Sequence, residues 1–417
     1  MLFKTIKISD WRQFKEIEID FHPKITIITG ANGSGKTTIL RLLSQHFGWN
    51  HNLLATPKIS TGTGIVEYTT GLLNSIFNAN KGIPKNSVGS LTYSNDINSH
   101  IVVPESGGVQ YNVQISNQQA VVGLHINSHR SIQSYQQINS IPTSVIGAEQ
   151  AYSSYFSEVM NKYQGGYTQF SPLYRMKEAI ISMATFGPGN SNVQKNPELE
   201  RLFLEFKTIL SKVLPPTIGF IDISIRIPDV VLVTKAGDFV LDAASGGLMS
   251  LIDLSWQIFL FSHNKNEFTV TIDEPENHLH PSMQRSLLGR LVTAFPKAQF
   301  IVVTHSPFVV SSVKDSFVYA LRYIEDQPTK NEGFPERKVS SLKLDLNLKA
   351  ATASEILRDV LGVPVTLPEW AEIDLKKITD EFCGKPITNE NLDQLRSQLK
   401  NAGLSEYFPD ALKIVAA

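Results

Sequence analysis

The first 29 residues alternate apolar and polar positions, Ile6 and Ile8, then Ile17, Ile19 and Phe21, and then run unbroken through Ile25-Thr26-Ile27-Ile28-Thr29. Alternation of period two predicts half-buried strands, and a short continuous β-branched run predicts a buried central one. The apolar positions Ile39, Leu40, Leu42 and Leu43 then turn helical, predicting a helix over 37–48 that ends near Gly48. Residues 49–144 are rich in Asn, Ser, Gly, Thr and Gln. Short alternating runs recur there, at 64–68, 90–93, 101–103 and 109–113, and predict an antiparallel β lobe rather than a disordered stretch. Residues 120–126 read as a buried strand.

Residues 148–213 are predicted mostly helical, with Asn196-Pro197-Glu198 as a helix start: a cap, a proline at the first position and an acid in the first turn. A hairpin is predicted over 219–242, helices over 247–262 and 281–294, and buried strands over 268–272 and 299–304. Alternating strands and helices point to a layered α/β domain. Beyond about residue 345 the chain reads as helical, with segments near 351–361, 369–382 and 389–402. The expected organisation is a core of 1–48 and 216–345, an insertion of 49–215 holding a β lobe and a helical subdomain, and a C-terminal helical segment, 346–417.

With 417 residues, 42% of them hydrophobic and 18% charged, the chain can build a large core. A net charge of −1 gives no bulk electrostatic support for nucleic-acid binding and leaves only a local basic patch open. The single cysteine, Cys383, excludes an internal disulfide framework and a cysteine-rich zinc site. No run of 18 uncharged apolar residues exists, so no transmembrane helix is expected. The N-terminus does not read as a signal peptide, and a cytoplasmic location is the expectation.

The chemistry concentrates in a few segments. Gly30-Ala31-Asn32-Gly33-Ser34-Gly35-Lys36-Thr37 follows a predicted strand and precedes a predicted helix that opens with Thr38. This is the phosphate-binding loop pattern in the context it requires. Backbone N–H groups of Gly30, Asn32, Gly33, Ser34, Gly35 and the helix start can face phosphate oxygens. Lys36 would reach the β- and γ-phosphates of ATP, and the Thr37 hydroxyl would ligate Mg²⁺. A second segment, Phe268-Thr269-Val270-Thr271-Ile272-Asp273-Glu274, is an apolar strand ending in two carboxylates. Asp273 would hold Mg²⁺, and Glu274 would take a proton from the attacking water.

Ser245-Gly246-Gly247 opens a helix upstream of those carboxylates. It is either an anion-binding turn or a plain helix cap. His305 follows the last buried strand, where it is either structural or in contact with a γ-phosphate or the water.

In this order the motifs resemble the ABC-type ATPase superfamily, within the AAA family ATPases, and specifically its OLD-like and RecF-like group. Trp11-Arg12-Gln13-Phe14, Asn127-Ser128-His129-Arg130 and Asp273-Glu274-Pro275-Glu276-Asn277-His278-Leu279-His280-Pro281 all fit that group. The chain is most similar to ATPase subunits of bacterial antiphage systems such as Septu and retron-linked modules. The resemblance implies an α/β, ABC-type P-loop NTPase head with an antiparallel β lobe, a helical insertion and a C-terminal helical segment. It also implies a homodimer or higher oligomer in which each ATP lies between Lys36 of one subunit and Ser245, Gly246 and Gly247 of the other. Asn277–His280 would cross the dimer seam, and Arg12 would contact nucleotide. Gln133, Gln136 and Gln137 are all candidates for the glutamine that senses Mg²⁺. The signature departs from Leu-Ser-Ser-Gly-Glu, with Ala244 for Ser and Gly247 for Glu, which implies slow hydrolysis.

Residues 321–417 lack the clustered acids of a Toprim nuclease, and no His-Asn-His pattern is visible. A nuclease activity is therefore expected in a partner effector, with the C-terminal helices serving as a docking platform or as a lid on the core. The competing readings are a RecF-like DNA-repair ATPase that clamps DNA, a transporter subunit and a binding-only scaffold. The long 49–215 insertion disfavours the transporter, and Glu274 with His305 disfavours the scaffold.

Overall fold

The computed structural model describes residues 1–59, 66–72, 84–105, 108–128, 135–141, 145–325, 337–361, 368–386 and 388–416. The chain forms two compact units, Met1–Ile356 and Leu357–Ala417. The first begins with β1 (Phe3–Trp11), β2 (Phe14–Asp20) and β3 (Ile25–Gly30), then α1 (Lys36–Ser44). The polar region that follows supplies β4 (Leu53–Leu54), β5 (Thr56–Ile59), β6 (Val66–Thr69), β7 (Ser87–Tyr93), β8 (Asn98–Val102), β9 (Gln110–Tyr111), β10 (Gln114–Ser116) and β11 (Gly123–Ile126). Three helices come next: α2 (Ala148–Tyr163), α3 (Pro172–Phe186) and α4 (Pro197–Val213). A small antiparallel sheet of β12 (Phe220–Arg226), β13 (Asp229–Thr234) and β14 (Phe239–Val240) leads into α5 (Gly246–Ser262). Then come β15 (Phe268–Asp273), α6 (Pro281–Ala294), β16 (Ala298–Val303), α7 (Pro307–Val310), β17 (Phe317–Glu325) and β18 (Arg337–Lys343), with short α8 (Leu346–Lys349) and α9 (Ala353–Glu355).

Among the described residues one sheet of eleven strands runs in the order β10-β8-β7-β1-β2-β18-β17-β3-β16-β15-β11. Its two ends differ in kind. β17, β3, β16, β15 and β11 are parallel neighbours, while β10, β8, β7, β1 and β2 pair antiparallel. Every residue of β3, β15 and β16 is buried, as expected for strands covered on both faces. Strands expected in an inserted lobe join this same sheet: β7 pairs with β1, and β11 pairs with β15. The register of β15 and β16 sets Asp273 beside Val303, and that of β16 and β3 sets Val303 beside Ile28. Carboxyl ends of the three central strands therefore open on one edge, the usual ligand edge of such sheets.

Local signals produce the helices. Asn196 caps α4 by accepting from the backbone N–H groups of Glu198 and Leu199, with Pro197 at the first position. The α5 helix is buried all round from Met249 to Leu260, so it is a central helix. It packs Trp256 and Phe259 against Phe206 of α4, with ring centroids 4.8 and 5.4 Å away. On its other side Asp253 accepts from the Tyr155 hydroxyl of α2 and from Gln257.

Three imidazoles are held neutral around α1. Burial pulls His46 and His51 from 6.5 to about 4, and His125 to about 3. His51 stacks on Trp49 at 5.7 Å, and His125 meets the same ring edge-on at 5.2 Å. In the unfolded chain all three take up protons below ~6.5, whereas the folded state resists protonation down to about 4 or below, so stability falls as pH drops through this window. Thermal melts between pH 7 and pH 4.5 are expected to show this loss. It should shrink when His125 is replaced by Gln, and an unchanged slope in that variant would contradict the assignment.

The second unit contains α10 (Glu369–Phe382), α11 (Asn389–Asn401) and α12 (Phe408–Ala416). Their core is Leu375, Phe382, Leu395, Leu399 and Leu404, with Ala371 and Ala411. Among the described residues no helix of the chain is long and apolar enough to cross a membrane.

Candidate active site

The loop between β3 and α1 makes a cavity of about 350 Å³. Asn32, Gly33, Gly35, Lys36, Thr37 and Thr38 line it, together with His305 and Gln13. Backbone geometry explains the glycines. Gly35 has φ 95°, and a Cβ there would stand 2.3 Å from Phe14 Cζ. A Cβ on Gly30 would stand 2.5 Å from the Leu321 carbonyl oxygen. The turn between β1 and β2 therefore braces the phosphate loop: Trp11 and Phe14 are fully buried, and Phe14 is the surface on which Gly35 rests. Arg12 itself does not line the cavity. It sits at φ 53°, its N–H donates to the Gly71 carbonyl, and its own carbonyl accepts from Lys338. The residue of this turn that faces the loop is Gln13, which sequence reasoning passed over.

Lys36 is 5% exposed and folds back over the loop, with Nζ donating to the carbonyls of Gly30 and Ala31 at 2.9 Å each. Burial pulls its pKa down to about 8, against the pull of Asp273, Glu274 and Glu276. Such a desolvated cation interacts strongly with phosphate. The neighbouring Thr37 hydroxyl donates to Asp273 Oδ2 at 3.1 Å. Asp273 is pushed up to about 6 by burial, opposed by that hydroxyl and by Lys36. Its other oxygen, Oδ1, is buried without a hydrogen-bond partner. An unsatisfied buried carboxylate oxygen beside a hydroxyl is a hard-oxygen donor set that fits Mg²⁺. The Ser34 hydroxyl is likewise buried and unpartnered inside the loop.

Glu274 follows Asp273 in the left-handed region, at φ 47°, an uncommon state for a non-glycine residue and one that clusters at functional sites. Its N–H donates to the Val303 carbonyl, which locks the turn to β16. The carboxylate stands between two partners: Oε2 accepts from Asn277 Nδ2 at 3.1 Å, and Oε1 lies 3.7 Å from His305 Nε2. Asn277 Nδ2 also donates to the Ser128 carbonyl at 3.3 Å, while His129 and Arg130 lie outside the described residues. Burial and the Lys36 charge lower the His305 pKa, with Glu274 opposing, so this imidazole is neutral near pH 7.

Glu276 carries a role that sequence reasoning did not assign. It is 9% exposed, and Oε1 accepts from Thr304 Oγ1 at 2.5 Å, from the His305 N–H at 2.9 Å and from the Ser306 N–H at 3.2 Å. One carboxylate therefore holds the turn that presents His305. Ser306 extends the clamp by donating to Gln284 of α6 at 2.6 Å.

The Ser245-Gly246-Gly247 turn is not part of the cavity over the phosphate loop. It lies against the loop after Glu274: a Cβ on Gly247 would stand 2.9 Å from the His278 carbonyl oxygen, and the Ser250 hydroxyl donates to the Asn277 carbonyl. Ser245 and Gly246 are exposed, and Ser245 caps α5. Of the three candidate glutamines, Gln133 lies outside the described residues and Gln137 is exposed. The Gln136 amide is engaged elsewhere, donating to the Gln169 carbonyl and accepting from the Ser171 N–H.

Family models match the two segments that build this site. A family model described as an AAA domain matches residues 5–120, and a second, described as an AAA domain, putative AbiEii toxin, Type IV TA system, matches residues 218–311. Septu protein PtuA of Bacillus thuringiensis is 22% identical over 379 residues, which cover 88% of this chain and 85% of that protein. Septu protein PtuA of Bacillus mycoides (strain KBAB4) is 22% identical over 422 residues, covering 95% of this chain but 49% of that protein, so this chain spans about half the length of that relative. Retron Ec83 probable ATPase of Escherichia coli is 43% identical over 53 residues, 13% of this chain and 10% of that protein. One AAA model covers the phosphate loop and the other covers the paired carboxylates, so the two halves of the site are matched separately, and the chain is a P-loop ATPase similar to Septu and retron ATPases.

Proposed function

We propose that this chain binds Mg²⁺-ATP over the phosphate loop, hydrolyses it slowly, and pairs head to head with a second copy through the nucleotide, thereby regulating a partner effector, a nuclease, in antiphage defence. The observation that carries the ATPase chemistry is the Thr37–Asp273 hydrogen bond, with Asp273 Oδ1 left buried and unpaired beside it. Thr37 and Asp273 would hold Mg²⁺, which when bound neutralises charge on the phosphate oxygens. Lys36 leaves the loop carbonyls for the β- and γ-phosphates. Glu274, oriented by Asn277, takes the proton of the attacking water. His305, presented by Glu276, orients that water or the γ-phosphate.

The exposed Ser245-Gly246 turn supports pairing between copies. These residues do not line the cavity over the chain's own phosphate loop, and a helix start suits an anion, so a nucleotide that meets them would be bound by another copy. The similarity to Septu and retron ATPases supports the defence role.

Co-expression of the full chain with its neighbouring genes, followed by pull-down and mass spectrometry, tests the regulatory reading. A stoichiometric partner that degrades nucleic acid, with release or activation dependent on ATP, is the expected outcome. A solitary dimer whose ATPase activity is stimulated by DNA would replace it with the DNA-clamp reading.

A further inference from the structure

Lys177 of α3 is fully buried, and its ammonium joins segments far apart in the chain. Nζ donates to both carboxylate oxygens of Asp242 at 2.8 and 2.9 Å and to the Gln136 carbonyl at 2.6 Å. The Asp242 side chain is 4% exposed. The Tyr135 ring lies 5.0 Å from the same ammonium. Removing both charges from water is costly, and apolar side chains of similar volume would fill the space as well. The pair therefore calls for a reason beyond packing.

Its position supplies one. Asp242 stands in the short turn Leu241–Ala243, directly before Ser245 and the start of α5. The body of α5 is anchored by burial on all sides, whereas the segment in front of it is anchored by burial only at Leu241: Ala243, Ser245 and Gly246 are exposed, and the Ser245 cap is long, at 3.5 Å. Gln136, at the other end of the tie, clamps the N-terminal turn of α3 with its amide. Upstream of it, the Ser128 carbonyl is bonded to the asparagine that orients Glu274.

We propose that Lys177, through Asp242, is the positioning residue that holds the Ser245-Gly246-Gly247 turn in the orientation needed to close on a nucleotide carried by a second copy. This role rests on the nucleotide-sandwich reading given above. Lys177 touches neither nucleotide nor the reacting atoms. It acts on the step of pairing and on the turnover that follows pairing, not on the first binding of ATP.

The test compares the full chain with Lys177→Met and with Lys177→Met/Asp242→Leu, the second variant leaving no buried charge unpaired if the first fails to fold. Hydrogen–deuterium exchange is read without nucleotide, and KM, kcat and ATP-driven dimer formation are read with it. In the double variant, amides of 241–248 are expected to exchange about tenfold faster while those of 30–39 are unchanged. KM for ATP should stay put, and kcat and dimer formation should each fall about ten- to a hundredfold, the upper end being the scale of a group misplaced by about an ångström. Wild-type exchange at 241–248 overturns the role. So does faster exchange there with kcat and dimerisation intact, and so does loosening spread across the whole first unit. A wild-type chain that binds ATP yet stays monomeric defeats the sandwich reading and this role with it, and it is told apart because no substitution is needed to see it.

Discussion

Glu274→Gln is expected to lower ATP turnover by ~10²–10⁴-fold while leaving ATP affinity within a few-fold of wild type. The amide keeps the shape of the carboxylate. Its oxygen can still accept from Asn277 Nδ2, 3.1 Å away in the native chain, so the turn at φ 47° stays braced. What is lost is basicity toward the attacking water. Binding without turnover also predicts accumulation of the nucleotide-bound dimer, which size-exclusion chromatography with ATP would display. Phosphate release measured under single-turnover conditions decides the matter, and wild-type turnover in this variant would refute the role of Glu274.

Lys36→Ala has the second large effect, on binding rather than chemistry. A charge-assisted contact to phosphate is worth ~1.5–3 kcal/mol, so the Kd for ATP is expected to rise roughly 10- to 100-fold, with ATPase activity lost. The side chain already sits where it is needed, buried at 5% exposure and hydrogen-bonded to two loop carbonyls. It changes partners when phosphate arrives, without having to be ordered. Because the Gly30 and Ala31 carbonyls lose a donor in this variant, a melting curve should accompany the titration to separate loop damage from lost affinity. Unchanged affinity in a folded variant would show that another cation meets the phosphates.

The parts of this site that were legible in the sequence are those that one short segment encodes. The glycine loop between an apolar strand and a helix, the carboxylates at the end of the 268–273 strand, and the proline-led start of α6 at Pro281 are all written within a dozen residues. Period and capping chemistry are local, so they survive without knowledge of the partners. The contacts that join segments were not legible. Glu276 reads as one more acid in a polar turn until Thr304, His305 and Ser306 are folded onto it. Arg12 came from the resemblance alone, and nothing local in the sequence singles out Gln13, which the turn with its left-handed Arg12 sets beside the loop. Gln136 could not be told from its neighbours because what decides its use, the Ser171 cap of α3, lies on a different element.

The strand that carries the phosphate loop has no neighbour made early. β3 is flanked in the sheet by β16 and β17, so Ile27 waits for Val302 on one side and Val318 on the other. During synthesis the ribosome has delivered the loop, α1 and the whole polar region before either flanking strand exists. Pairings this distant in sequence form late and leave strand edges open meanwhile. A nascent chain that stops short of β16 and β17 therefore lacks both strands that flank the phosphate loop, and coupling of the site to ATP waits until both have been made.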